Sequence, residues 1–109
     1  NRDADNKDVG NNQDVDNGED AKNDIYIYER DVEWIRESDV VIAEVTTPSL
    51  GVGYEIGFAE ALGKPVIALF RPSSGRRLSA MIGGNRTVKS IAYETLEDMK
   101  AKLERELGE

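Results

Sequence analysis

Two short, almost unbroken apolar runs constrain this 109-residue chain more than anything else in it: Asp39-Val-Val-Ile-Ala-Glu-Val45 and Pro65-Val-Ile-Ala-Leu-Phe70. Both have strand length, and neither alternates apolar with polar as a strand with one wet face would. Such strands need cover on both faces, so they belong in a parallel sheet between layers of helix. Tyr54 to Leu62 reads as a helix between them, stopped by Gly63. Upstream, Tyr28, Val32 and Ile35 recur at helical spacing beside Trp34, which predicts a helix over 25–37 capped by Asp24. Downstream come a helical turn, Leu78–Ile82, a third strand, Thr87–Tyr93, and a closing helix, Glu94–Leu107, with Leu96, Met99, Leu103 and Leu107 on one face. Strands alternating with helices predict an α/β fold with right-handed crossovers.

Composition divides the chain at residue 23. The first 23 residues carry six Asp, one Glu and six Asn against Arg2, Lys7 and Lys22, and no aromatic residue. They cannot bury enough surface to offset ordering, so they read as a disordered acidic tail, leaving 24–109 as the α/β domain. Asp3, Asp5, Asp14 and Asp16 faintly resemble a calcium loop, but with Asp14 in first place Gly18 falls at position five instead of six, and no Glu closes twelve residues. With no Cys and no His, a disulfide scaffold, a thiolate or imidazole zinc site and a His general base are all excluded. Catalysis must then run on carboxylates, hydroxyls, Lys, Arg or backbone, and no metal or cofactor is expected. A net charge of −8 argues against wrapping a nucleic acid polymer, and no apolar run has membrane-spanning length. A soluble, cytoplasmic protein is the expectation, and the start at Asn1 reads as a processed, trimmed or incomplete chain.

Ligands of such sheets bind beyond the carboxyl ends of the strands, where the two Gly/Ser-rich loops 46–53 and 71–77 fall. Gly51 and Gly53 would let backbone approach a ligand, and the helix that follows offers free N–H groups to an anion. The spacing G-x-G-x-x-x-G over Gly51, Gly53 and Gly57 misses the dinucleotide fingerprint by one residue. Each candidate has an ordinary reading. Glu55, placed in the first helical turn, would serve the helix dipole, and Asp31 would be a solvated charge. Ser49 and Ser79 would be caps, and Arg71, Arg76 and Arg77 surface cations. Together, two carboxylates, serines, a glycine loop and an arginine cluster point to glycosidic-bond chemistry on an anionic substrate.

The run Asp31-Val-Glu-Trp-Ile-Arg-Glu-Ser-Asp-Val-Val-Ile-Ala-Glu-Val-Thr-Thr-Pro-Ser-Leu-Gly-Val-Gly-Tyr-Glu-Ile-Gly57 resembles the nucleoside 2-deoxyribosyltransferase family. Ala61-Leu-Gly-Lys-Pro-Val66, Phe70-Arg-Pro-Ser-Ser-Gly75 and Leu78-Ser-Ala-Met-Ile82 narrow it to the branch of 2′-deoxynucleoside 5′-monophosphate N-glycosidases. The resemblance implies a flavodoxin-like or Rossmann-like three-layer sandwich with a mainly parallel sheet. It implies Glu55 as the nucleophile that attacks C1′, and Asp31 as the second carboxylate, which orients substrate and helps protonate the departing base. By the same resemblance Ser49 and the backbone of Gly51 hold the 5′-phosphate, and Ser79 reaches the phosphate bound by a neighbouring subunit of a homodimer. Six residues before the nucleophile, the free-nucleoside transferases carry an Asp. A carboxylate there would repel a phosphate dianion, whereas the Ser49 hydroxyl can donate to it.

The implied activity is hydrolysis of a small deoxynucleotide to base and 2-deoxyribose 5-phosphate, with base transfer between nucleosides, or nucleotide binding without turnover, as alternatives. The family opens with a strand and a Gly-Ser-Ile-Arg-Gly-Gly-type loop that has no counterpart in this sequence, so the expectation is a sheet lacking that N-terminal strand.

Overall fold

The computed structural model describes residues 18–108. The elements are α1 (Gly18–Glu37), β1 (Val41–Glu44), α2 (Leu50–Ala61), β2 (Val66–Phe70), a 3₁₀ turn (Pro72–Ser74), α3 (Ala80–Gly83), β3 (Val88–Ala92) and α4 (Leu96–Glu106). The calcium-like motif of Asp3, Asp5, Asp14 and Asp16, and most of the acidic tail, lie outside the described residues. Residues 18–23, expected in that tail, form the first turns of α1, and Asp24 lies inside the helix instead of capping it. Composition alone misjudges them. Once a helix is nucleated by packing further along, each added residue gains a hydrogen bond and buries nothing, so an exposed polar segment can propagate it.

The three strands pair in parallel in the order β1-β2-β3. Val41 lies opposite Val66, and Val66 opposite Val88. β2 is central, and Val66, Ile67, Ala68 and Leu69 are all buried, which explains its unbroken apolar run. On one face Ala43, Val66, Ala68 and Val88 pack with Ile35 of α1 and with Val52, Ile56 and Ala59 of α2. On the other, Ile67, Leu69 and Ile91 pack against Met99 and Leu103 of α4. Helices therefore cover both faces, giving the α/β three-layer arrangement that the pattern implies. The expected α4 stripe is shorter than its sequence suggests, because Leu96 and Leu107 at the helix ends are exposed. No helix among the described residues is long and apolar enough to cross a membrane.

The end of α2 is fixed by backbone geometry. Gly63 takes φ +76°, its N–H donates to Glu60 O at 2.9 Å, and Lys64 N–H reaches Ala59 O at 2.9 Å. These are the two bonds of a Schellman motif, which returns the chain toward β2. At the other end of the sheet a polar cluster joins all three strands. The Glu44 carboxylate accepts from Thr46 N–H (3.0 Å), Thr46 Oγ1 (2.6 Å) and the Tyr93 hydroxyl (2.6 Å), while Thr46 Oγ1 accepts from Arg71 N–H at 3.0 Å. Burial works to raise the Glu44 carboxyl, but the hydrogen bonds from Thr46 and Tyr93 outweigh it and hold the group below its ordinary value of 4.5. The Tyr93 hydroxyl is pushed up by its bond to Glu44.

Two outcomes follow from these features. Gly63→Ala meets no atom within 4 Å, so its cost is the left-handed backbone alone, about 1 kcal/mol, read as a lower urea midpoint at unchanged m-value. Because the Glu44 carboxyl is lowered on folding, its contribution is complete above its unfolded value and disappears as pH falls through the folded one. Glu44→Gln should be less stable than the parent by about 1 kcal/mol at pH 7, at the low end for charged hydrogen bonds because the group is only half-buried. In acid titrations that gap should close below the ordinary carboxylate range; a gap constant down to pH 3 would contradict the assignment.

Candidate active site

The β1–α2 connection is shorter than the glycine spacing suggests. α2 begins at Leu50, so Gly51 and Gly53 lie in its first turn and not in a loop. Ser49 sets this start: at φ −149°, ψ 126° its Oγ accepts from Val52 N–H at 3.2 Å. That bond occupies a lone pair and leaves the hydroxyl proton for another acceptor. The amides of Leu50 and Gly51, at the first two helical positions, have no carbonyl of their own helix to bond and point out of the N-terminus. A hydroxyl donor and two backbone donors thus converge beyond the carboxyl end of β1.

The earlier start moves Glu55. It is the sixth residue of α2, in the second turn, and the first turn holds no acidic residue. The expectation that Glu55 sits in the first turn is corrected, and with it the reading as a simple dipole partner, since that effect fades beyond the terminal turn. Glu55 is half-buried and stands four residues after Gly51, on the same stripe of the helix.

Asp31 is no solvated charge. It is 5% exposed, among the most buried residues of α1, and its Oδ1 accepts from Arg30 Nε and lies beside Arg30 Nη2, both at 3.0 Å. Arg30 is itself held over the Trp34 ring, 4.7 Å from its centroid. Contacts between α1 and α2 bracket the two carboxylates. The Tyr28 and Tyr54 hydroxyls are 3.4 Å apart, and the Arg36 guanidinium lies 5.5 Å from the centre of the Phe58 ring. Asp31 falls one turn after Tyr28 and Glu55 directly after Tyr54, so both belong to the stretch where the helices meet.

Ser79 caps α3 through Met81 N–H (3.2 Å), as its position suggests, and is exposed. Ser49 and Ser79 line one open cleft of about 630 Å³ with an apolar floor that includes Val45, Val52, Ile56 and Ile82. Neither Glu55 nor Asp31 lines it. The fold therefore brings the serines together on one side of α2, while the two carboxylates fall within the stretch where α1 and α2 meet. Arg71, Arg76 and Arg77 are exposed around the 3₁₀ turn, where Gly75 takes φ +81°.

Two polar clusters escape the sequence reading, one at the carboxyl edge of the sheet and one in the cleft. One is Glu44, Thr46 and Tyr93. The other is Glu60, at the far end of the cleft, which accepts from Asn85 Nδ2 at 3.1 Å and from Thr87 Oγ1. The Thr87 hydroxyl and the Asn85 amide lower the Glu60 carboxyl. A charge interrupting an apolar strand at Glu44 was the signal available for the first cluster. Nothing in the sequence couples Glu60 to residues 25 and 27 positions away.

The sequence profile described as nucleoside 2-deoxyribosyltransferase matches residues 5–101. A 5-hydroxymethyl-dUMP N-hydrolase of Mus musculus is 67% identical over 66 residues, covering 61% of this chain and 38% of that protein. The protein of the same name from Tetraodon nigroviridis is 61% identical over 77 residues, covering 70% and 54%. The chain thus spans between two fifths and about half of the length of these relatives. Among solved structures, the CMP N-glycosidase BcmB of Clostridium botulinum superposes with a TM-score of 0.66 at 28% identity, covering 75% of this chain and 74% of that one. With its parallel sheet, the capped start of α2 and a profile match over nearly its whole length, this chain belongs to the nucleoside 2-deoxyribosyltransferase family.

Proposed function

We propose that this chain hydrolyses the N-glycosidic bond of 2′-deoxynucleoside 5′-monophosphates. The observation that carries the reading is the placement of an anion-binding terminus and a carboxylate on one helix. Ser49 Oγ and the amides of Leu50 and Gly51 stand at the start of α2, and Glu55 follows Gly51 by one turn on the same stripe, a rise of roughly 6 Å. A 5′-phosphate seated at the terminus would lay its sugar along that stripe. The hydroxyl of Ser49, in place of a carboxylate, suits a phosphate dianion. The names of the relatives in mouse and Tetraodon support the same substrate class.

In this reading a Glu55 carboxylate oxygen bonds to C1′ as the C1′–N bond breaks, and the bonding pair leaves with the base. Asp31 orients the sugar and helps deliver the proton that the departing nitrogen takes up. Water then adds at C1′ and gives up a proton to solvent, replacing the one the base took up, while the C1′–O bond to Glu55 breaks and the carboxylate is regenerated with 2-deoxyribose 5-phosphate as product. A sugar without a 2′-hydroxyl forms the oxocarbenium-like transition state more readily, so two carboxylates suffice. Arg30, at 3.0 Å from Asp31, keeps that carboxylate's orientation fixed. The reading places the protein in the cytoplasm.

The same reading takes the protein as a homodimer. Leu50 and Met81, which flank the cleft, are 77% and 82% exposed, and Gly53 and Gly57 leave a flat strip of α2 with nothing within 4 Å of either Cβ position. A second copy seated on that strip would bring its Ser79 toward the phosphate of the first.

Base release from deoxynucleoside monophosphates, with ribonucleotides and free nucleosides as controls, tests the activity by chromatography. Glu55→Gln should lower release by about 10³-fold or more while leaving nucleotide binding in place. Loss of binding alongside activity would speak against a nucleophile. Adding a second free base separates hydrolysis from transfer, because only a transferase yields a new nucleotide. Ser79→Ala should raise KM for monophosphates about tenfold and leave nucleosides nearly unchanged. Equal effects on both would remove the serine from the phosphate site.

A further inference from the structure

Glu44 ends β1 on the sheet face that α4 covers, opposite the face on which α2 lies. A half-buried carboxylate in that place is unfavourable unless its oxygens are satisfied, and its donors among the described residues are neutral: Thr46 N–H, Thr46 Oγ1 and the Tyr93 hydroxyl. Thr46 is held twice by Glu44 and passes the connection on, since its Oγ1 also accepts from Arg71 N–H at 3.0 Å. One carboxylate therefore ties the end of β1 to the end of β3 directly and to the start of the 71–77 loop through a single hydroxyl. Only Thr47 and Pro48 separate this anchor from Ser49, and Pro48 has a fixed φ. With Thr46 pinned at both N–H and Oγ1, little torsional freedom is left between the sheet and the Ser49 cap.

We propose that Glu44, acting through Thr46, is a positioning residue for the 5′-phosphate site: it holds Ser49 Oγ and the first amides of α2 in place relative to the sheet. The inference rests on the phosphate-binding reading given above. Its competitor is a network that merely holds strand ends together. The two differ in what they protect. A structural tie protects the whole fold, and its loss lowers stability without distinguishing phosphate-bearing from phosphate-free ligands. A positioning tie protects the phosphate contacts selectively.

The test uses the full chain with four substitutions: Glu44→Gln, Thr46→Val, Thr46→Ser and Tyr93→Phe. Inorganic phosphate is titrated while the Leu50 and Gly51 amide resonances are followed. KM and kcat are measured for a deoxynucleoside monophosphate and for its nucleoside. Thr46→Val and Glu44→Gln should weaken phosphate binding and raise KM for the monophosphate by about tenfold, with kcat and the nucleoside within a factor of about three. Thr46→Ser keeps the hydroxyl and should restore parental values. Tyr93→Phe, the mildest change, should give an intermediate effect. Parental phosphate affinity in folded Thr46→Val, or equal losses for nucleotide and nucleoside, would overturn the proposal. Failure of the underlying reading appears in the parent protein instead. Phosphate binding without base release would reject the catalytic assignment and leave the positioning role to be judged on phosphate affinity, whereas absent phosphate binding in the parent would overturn both.

Discussion

Parallel pairing of the three strands in one common register is the constraint on which the remainder of the structure depends. It requires each connection to cross a face of the sheet, and it brings the carboxyl ends of β1, β2 and β3 to a single edge. The central strand makes the pairing favourable. Its buried Val66, Ile67 and Leu69 each contribute about 1.5–3 kcal/mol relative to exposure, on alternating faces, so neither helical layer can be removed without uncovering one of them. What collects at the carboxyl edge is then decided by a few polar residues. Ser49 turns the chain into α2, Glu44 and Thr46 tie the strand ends, and the 3₁₀ turn carries the arginines beyond β2.

The layered fold was legible because burial on two faces leaves a mark that needs no partner to interpret. Runs such as Val66–Leu69 have only one comfortable environment. Helix starts were less legible, for two physical reasons. At α2, Gly51 and Gly53 suggested a loop, but glycine only weakens a helix, and a Ser49 cap with packing by Val52 and Ile56 outweighs that cost. At α1, the polar segment from Gly18 onward is extended from a helix anchored further along by Ile35. At both starts tertiary contacts outweigh local preference.

At the site, the residues whose roles are local could be located from their sequence neighbours. Ser49 and Ser79 are caps read from the elements they precede, and the structure puts both on one cleft. Asp31, by its charge alone a solvated residue, is buried, because it stands three residues after Tyr28 and four before Ile35 on the packed stripe of α1. The network around Glu44 leaves one mark in the sequence, a charge at the end of an apolar strand, and that around Glu60 leaves none. Each joins residues from elements far apart in the chain, with Glu44 and Tyr93 separated by 49 positions, and their meeting is a product of register alone.

The two apolar clusters are unequal. The layer beneath α1, α2 and α3 is deep, whereas α4 is attached mainly through Met99 and Leu103. Its start is secured by Thr95 Oγ1, which accepts from Asp98 N–H at 3.1 Å, and by the Asp98 carboxylate, which accepts from Glu94 N–H at 2.9 Å. Lys102 Nζ donates to Ala92 O of β3 at 2.6 Å, and an exposed pair at 3.7 Å, Lys89 with Glu106, lies toward the far end of the helix. The molecule consequently has a thick side and a thin side. Opening of α4 uncovers Ile67, Leu69 and Ile91 but leaves the thick side whole, so its amides should exchange with solvent before those of β2, which wait for the whole domain to open. The helix that Ser49 caps, α2, lies on the slow side of that division.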